Sequence, residues 1–334
     1  MTEATAANHD RVLYRHKRRP QWGLGVVLWE RNGKRALQFE DGEARVFSAD
    51  FLGMLEAVDP PFDRTEVAFA RLDKARGRSE AANRTGQKPV PLPAQIAYFK
   101  QTFEEGFEGE PWRKQMRNAK RKLKRHRDPT IEAARSELNQ PALDELLEAG
   151  DHDGVIEALA RVLDKSNLVT SKRVSDLRGL SARRRPRAAK ALRELLYGEG
   201  TVDERFAELA SALDIDSWEL VTAPLALLSP LEHVCVRPST FRQQALWLAP
   251  RLKHSARPTA AAYRRYRAMA HELRTKLTEA GLPPTDLLDV HDFIYETLRS
   301  SVREEVLEIA ANLDALPALN PPPGGGDEEA AATA

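Results

Sequence analysis

Two Gly-containing dipeptides, Asn32-Gly33 and Asp41-Gly42, cut residues 20–52 into three short runs of strand-type residues. Both suit tight reversals, because Gly and Asn tolerate the positive φ that two-residue hairpin turns require. Val26, Leu28, Leu37, Phe39, Val46 and Phe47 flank these turns, and the stretch predicts a tight antiparallel meander. A meander this short must bend strongly to enclose a core. The expectation is a small β-barrel over residues 11–58, a class of module that binds more often than it catalyses. Phe51, Leu52, Leu55 and Val58 read as a short helix closing one end, stopped by Pro60-Pro61.

Downstream the pattern changes. Residues 59–95 read as a linker with partial order, since residues 75–93 are rich in Arg, Gly, Ser, Asn and Pro. From 96 to 319 apolar residues recur at helical spacing. Trp112, Met116, Ala119 and Leu123 fall on one helix face. Tyr263, Tyr266, Ala270, Leu273 and Leu277 make a long stripe that Gly281 and Pro283-Pro284 would end. The expected fold class is mostly α, a small N-terminal β-barrel followed by an all-helical domain over 96–319. Residues 1–10 and 320–334 read as disordered tails.

Charge is balanced overall, 51 Lys and Arg against 50 Asp and Glu, so a partner must be argued from local clusters. No apolar run approaches the roughly 20 residues of a membrane span, and residues 1–10 show no secretory pattern. Cys235 is the single cysteine, which excludes an intramolecular disulfide and a cysteine zinc cage. It reads as a small buried apolar residue. A cytoplasmic location and no membrane partner are expected.

Residues 112–127 hold nine Lys and Arg and no acid: Arg113, Lys114, Arg117, Lys120, Arg121, Lys122, Lys124, Arg125 and Arg127. On one helix the apolar face would meet a core and the cations would cover the rest. Such a surface attracts a DNA or RNA backbone through counterion release. The same run also reads as a solvated helix whose cations pair with Glu104, Glu105, Glu108 and Glu110. Arg183, Arg184 and Arg185, beside Lys172, Arg173, Arg178 and Arg187, would extend the patch if they converge with it. Arg251, Lys253, His254 and Arg257 form a further cluster.

Catalytic signatures fail on inspection, and neither a cofactor nor a metal is expected. His126-Arg127-Asp128 imitates a kinase loop, but Ala133 stands where a metal-binding Asn is needed. His271-Glu272 begins a zinc-protease motif that Thr275 breaks. Gly23-Leu24-Gly25 precedes a strand, not a helix. Asp151-His152-Asp153 and His291-Asp292 lack a third partner at a useful spacing. Among the barrel aromatics, Trp22, Trp29 and Phe39 are candidate docking points for a protein partner, against burial in the small core.

The run Pro20, Trp22, Gly23, Gly25, Val26 and Val27, with the later Phe39, Asp41 and Gly42, resembles the Tudor/SH3-like barrels of bacterial DNA-transaction proteins. These include the C-terminal barrel of superfamily 1 helicases and the polymerase-interacting barrel of CarD-type regulators. The resemblance covers about a tenth of the chain. It implies a five-stranded SH3/Tudor-like barrel that docks on RNA polymerase or a similar partner, and no helicase motif accompanies it. Residues 218–298 resemble an all-helical region of bacterial proteins without an assigned activity. The expected function is a non-enzymatic adaptor whose barrel docks on a protein and whose basic helix holds nucleic-acid backbone. The alternative is a helical protein-interaction scaffold, which would expose an apolar groove around Tyr263, Tyr266 and Tyr295.

Overall fold

The computed structural model describes residues 12–58, 62–118 and 123–315. The segments read as tails, 1–10 and 320–334, lie outside the described residues, as do Lys120 and Arg121 of the basic run. Described residues fall into two units, 12–75 with 308–315, and 76–307.

The first unit carries five antiparallel strands: β1 (Leu13–His16), β2 (Leu24–Arg31), β3 (Lys34–Phe39), β4 (Ala44–Ser48) and β5 (Leu55–Val58), ordered β4-β3-β2-β1-β5. Asn32 and Gly33 take φ of 51° and 66° and turn β2 into β3, as their chemistry predicts. Gly25 has a packing role: a Cβ there would meet the Phe39 ring at 2.8 Å. Leu37, Phe39, Phe47 and Leu55 form the core on one side, with Trp22 packed against them. β4 and β5 are the sheet's edges. The short helix expected over 51–58 is instead a 3₁₀ segment, Ala49–Met54, followed by strand β5 paired with β1. Pairing of all four β5 residues with β1 satisfies this backbone and outweighs the local helical spacing.

Among the described residues, 62–95 contain no long linker. Helix α1 (Phe62–Thr85) fills most of that stretch, and α2 (Leu92–Thr102) begins within it. The composition misleads because Ala, Arg and Glu form helices well. A helix need bury only a narrow stripe, here Ala68, Phe69 and Leu72 beside Leu13 in the first unit. The part of α1 in the second unit buries Ala81. There the Arg78 guanidinium lies 3.6 Å from the Trp247 ring centroid and its Nε donates to the Trp247 carbonyl at 2.9 Å.

The rest of the second unit is helical: α3 (Glu110–Met116), α4 (Arg127–Glu137), α5 (Gln140–Glu148), α6 (His152–Asp164), α7 (Ser171–Arg178) and α8 (Arg185–Tyr197). It continues through α9 (Val202–Leu213), α10 (Trp218–Leu228), α11 (Pro238–Leu248), α12 (Ala260–Glu279) and α13 (Leu287–Leu298), and α14 (Arg303–Ala315), whose residues from 308 on belong to the first unit, ends the described chain. Side-chain caps start many of these helices, with Asn139, Asp151, Thr170, Ser217, Thr259 and Asp286 each accepting a first-turn amide. The α12 stripe is buried as its spacing predicts, and Gly281 follows its end at φ 76°. Helix α13 packs against α2, α11 and α12 and is enclosed along its length, including Asp289, His291 and Asp292.

Candidate functional site

The basic run does not form one helix. Helix α3 stops at Met116, α4 starts at Arg127, and Leu123 is exposed instead of sharing a face with buried Trp112 and Met116. One continuous helix would stack like charges at i, i+4 along Arg113, Arg117 and Arg121, which is unfavourable. What competes successfully is a set of carboxylates on α13. Asp286, Asp289, Asp292 and Glu296 recur along this otherwise apolar helix, and buried acids need partners.

Arg117 and Arg127 supply them. The Arg117 side chain, 8% exposed, forks onto Asp286 with Nη1 and Nη2 at 2.9 and 2.6 Å and donates from Nε to Asp289 at 3.0 Å. Burial alone would lower the pKa of Arg117, but Asp286 and Asp289 outweigh it and hold the pKa above its ordinary value. Asp286 also caps α13, accepting the Leu288 amide at 2.8 Å, and Trp112 Nε1 donates to Asp289 at 3.0 Å. Arg127 is 2% exposed and grips Asp292 through Nε and Nη2 at 2.8 and 2.6 Å, a bidentate buried pair. Its Nη1 reaches Asn167 Oδ1 at 2.8 Å. Both ends of the segment are thus fastened to one helix.

Beside this fastening lies a cleft of about 330 Å³ lined by Arg125, Arg127, Arg237, Arg299, Asp292 and Glu296. Four guanidiniums against two carboxylates leave an excess of positive charge. Arg237 is held over the Tyr295 ring at 4.5 Å and donates to the Asn167 carbonyl at 2.8 Å. His291 lies in the same wall, its Nδ1 donating to the Cys235 carbonyl at 2.7 Å. Burial lowers its pKa to about 4, so the imidazole is neutral at pH 7. Burial also holds Glu296 above the usual carboxylate value, against Arg299. Cys235 is buried, as its sequence context predicts, and desolvation pushes its thiol up to about 12.

The remaining predicted site residues separate into two groups. Arg113, Lys114, Lys124 and Arg125 are exposed and carry no ion pair among the described residues. The second run is neutralised nearly residue by residue: Arg184 meets Asp214 at 2.6 Å, Arg185 meets Asp153 at 2.9 Å, and Arg178 meets Glu157 and Asp164 at 2.8 and 2.7 Å. Arg183 alone of the predicted trio is left without an ion pair among the described residues. Arg237 and Arg299 were not legible as site residues. The acids on α13 point to Arg299, which pairs with Glu296 at 3.4 Å, whereas Arg237 is held by the Tyr295 ring and the Asn167 carbonyl and answers no local acid pattern.

On the sheet, Phe39 is fully buried and edge-on to Trp22 at 5.4 Å, so it faces no partner in this fold. Trp22 is half-buried with Arg45 stacked 4.0 Å from its centroid. Trp29 is half-buried under Arg31 at 4.6 Å, and a bulge between Val27 and Trp29 breaks the strand alternation. Val46 on edge strand β4 and Phe51 just after it are each 57% exposed, and Val12 before β1 is 49% exposed. Of the three tyrosines around which a scaffold would expose a groove, Tyr263 and Tyr266 are buried, Tyr263 stacked on Phe206 and Tyr266 edge-on to Trp218, while Tyr295 is half-buried in the wall of the α13 cleft. Asp151 caps α6, and Asp153 pairs with Arg185, which gives this triplet structural roles.

Among the described residues no three His, Cys, Asp or Glu side chains gather as a metal site, and no helix is long and apolar enough to cross a membrane. Compared with protein-family models, curated proteins and solved structures, the chain matches none.

Proposed function

We propose that this protein is a non-enzymatic adaptor that holds the phosphate backbone of DNA or RNA at the α13 cleft and its basic lip, and that engages a protein through its N-terminal sheet. One observation carries the reading. Buried carboxylates occupy Arg117 and Arg127, while Arg113, Lys114, Lys124 and Arg125 reach solvent without an ion pair among the described residues. Unpaired cations beside a guanidinium-lined cleft favour phosphate, which accepts forked Arg contacts. Contacts from flexible cations position a backbone and do not read bases. The Tudor/SH3-like reading of the sheet is supported by five antiparallel strands and a core cluster of Leu37, Phe39, Phe47 and Leu55. Val46 and Phe51 beside β4 would then meet the partner, of which RNA polymerase is one that the resemblance implies.

The test is anisotropy titration of duplex and single-stranded DNA and RNA at several salt concentrations. If the four exposed cations neutralise four phosphates, log affinity falls against log salt with a slope of about −3.6 on duplex DNA. A salt-independent affinity, or none at low salt, contradicts the reading.

A further inference from the structure

A second cavity in the helical unit, about 370 Å³, has a different chemistry. Its floor is apolar: Ala245 and Leu246 from α11, Ala249, Pro250 and Leu252 from the segment that follows it, and the Tyr266 ring from α12. Its mouth is cationic, with Arg84, Arg242 and Lys253 all exposed and no carboxylate in the lining. None of the three has an ion pair among the described residues. Arg84 has only a long 3.4 Å bond to the Pro250 carbonyl, and Arg242 a 3.1 Å bond to the Pro238 carbonyl. Uncompensated charge around an apolar hole is the complement of a molecule with the opposite arrangement.

The polar anchor is a single pair. His254 Nδ1 and the Tyr266 hydroxyl lie 2.6 Å apart in the wall. Burial, with Arg242 adding to it, lowers the His254 pKa, so at pH 7 the pair offers hydrogen bonding without charge. The loop that carries His254 is held by Trp218 Nε1 donating to the Ser255 carbonyl at 3.0 Å. The wall is therefore formed before any ligand arrives. Its volume sits at the small end of ligand pockets, too apolar for bare phosphodiester and too cationic for a neutral hydrocarbon.

We propose that this cavity binds a small amphipathic organic anion, its apolar body on the α11 floor and its carboxylate or phosphate group among Arg84, Arg242 and Lys253. The site is separate from the α13 cleft, and its occupancy is read without nucleic acid.

The experiment is calorimetric titration of the full chain with octanoate, octyl phosphate, octylammonium, acetate and inorganic phosphate. Octanoate or octyl phosphate binds at least tenfold more tightly than octylammonium, and at least tenfold more tightly than acetate or inorganic phosphate. Which of the two octyl anions is tighter identifies the head group. Arg242→Glu/Lys253→Glu, both surface changes, weakens the octyl anions at least tenfold, with the thermal midpoint used to confirm folding. Ala249→Trp, which fills the floor, does the same without altering charge. Equal binding of octanoate and octylammonium, no octyl-anion binding at millimolar concentration, or unchanged affinity in the folded charge-reversed variant would each overturn the proposal.

Discussion

Two basic runs of similar appearance lie in the helical unit, and they fold to different ends. In residues 178–187 the arginines meet carboxylates from neighbouring helices at the surface, as Arg178 does with Glu157 and Asp164 and Arg184 with Asp214. In residues 113–127 the chain instead drives Arg117 and Arg127 inward onto α13 and leaves Arg113, Lys114, Lys124 and Arg125 exposed. Surface pairing cancels most of the first run; buried fastening of Arg117 and Arg127 leaves these four on display. The local density of Lys and Arg does not distinguish these outcomes. The location of the answering carboxylates does.

The largest effect expected is on the buried fastening. Removing one partner leaves an uncompensated charge, so Arg127→Ala or Asp292→Ala should each cost about 3–5 kcal/mol of stability. Urea unfolding measures it, and a loss below about 1 kcal/mol would place the pair with the surface bridges. Replacing both by apolar residues, Arg127→Met/Asp292→Leu, should recover part of the loss.

Acidification acts on the buried side of the comparison next. His291 and His233 are both lowered by burial to about 4, so the folded state resists the protons that the unfolded chain accepts near 6.5. Stability present above pH 6.5 is therefore lost as pH falls towards 4, by at most about 3 kcal/mol for each histidine. Unfolding curves at pH 7, 5.5 and 4.5 should show the fall, and His291→Asn should flatten it. A pH-independent stability across that window contradicts the neutral assignment.

The smallest effect belongs to the surface run. Arg184→Ala breaks a half-exposed pair and should change stability by no more than about 1 kcal/mol, most of it absent in high salt. A loss comparable with that of Arg127→Ala would erase the distinction drawn between the runs.

Much of the architecture was legible. The Asn32-Gly33 turn, the apolar alternation around it, the α12 stripe and its Gly281 ending all follow from local chemistry, because each needs only neighbours in sequence. The failures share a cause of the opposite kind. Helix α1 was hidden because its buried stripe of Ala68, Phe69 and Leu72 is thin and its other faces carry the polar composition of a linker. Phe39 looked like a docking aromatic, but Gly25 opens room for its ring inside the sheet. The basic segment was read as one helix because its spacing permits it. The carboxylates that break it lie about 170 residues away on α13, beyond any local pattern.

The central claim is that display of charge, not its abundance, makes the α13 face a polyanion site. The direct measurement compares two charge-reversed proteins of equal size for affinity to duplex DNA at low salt: Arg113→Glu/Lys114→Glu/Lys124→Glu/Arg125→Glu, and a control drawn from ion-paired surface cations, Lys172→Glu/Arg178→Glu/Arg184→Glu/Arg187→Glu. The account predicts that the first loses at least a hundredfold in affinity and most of the salt slope, while the control stays within a few-fold of the parent. Equal losses in the two proteins, or a larger loss in the control, would contradict it.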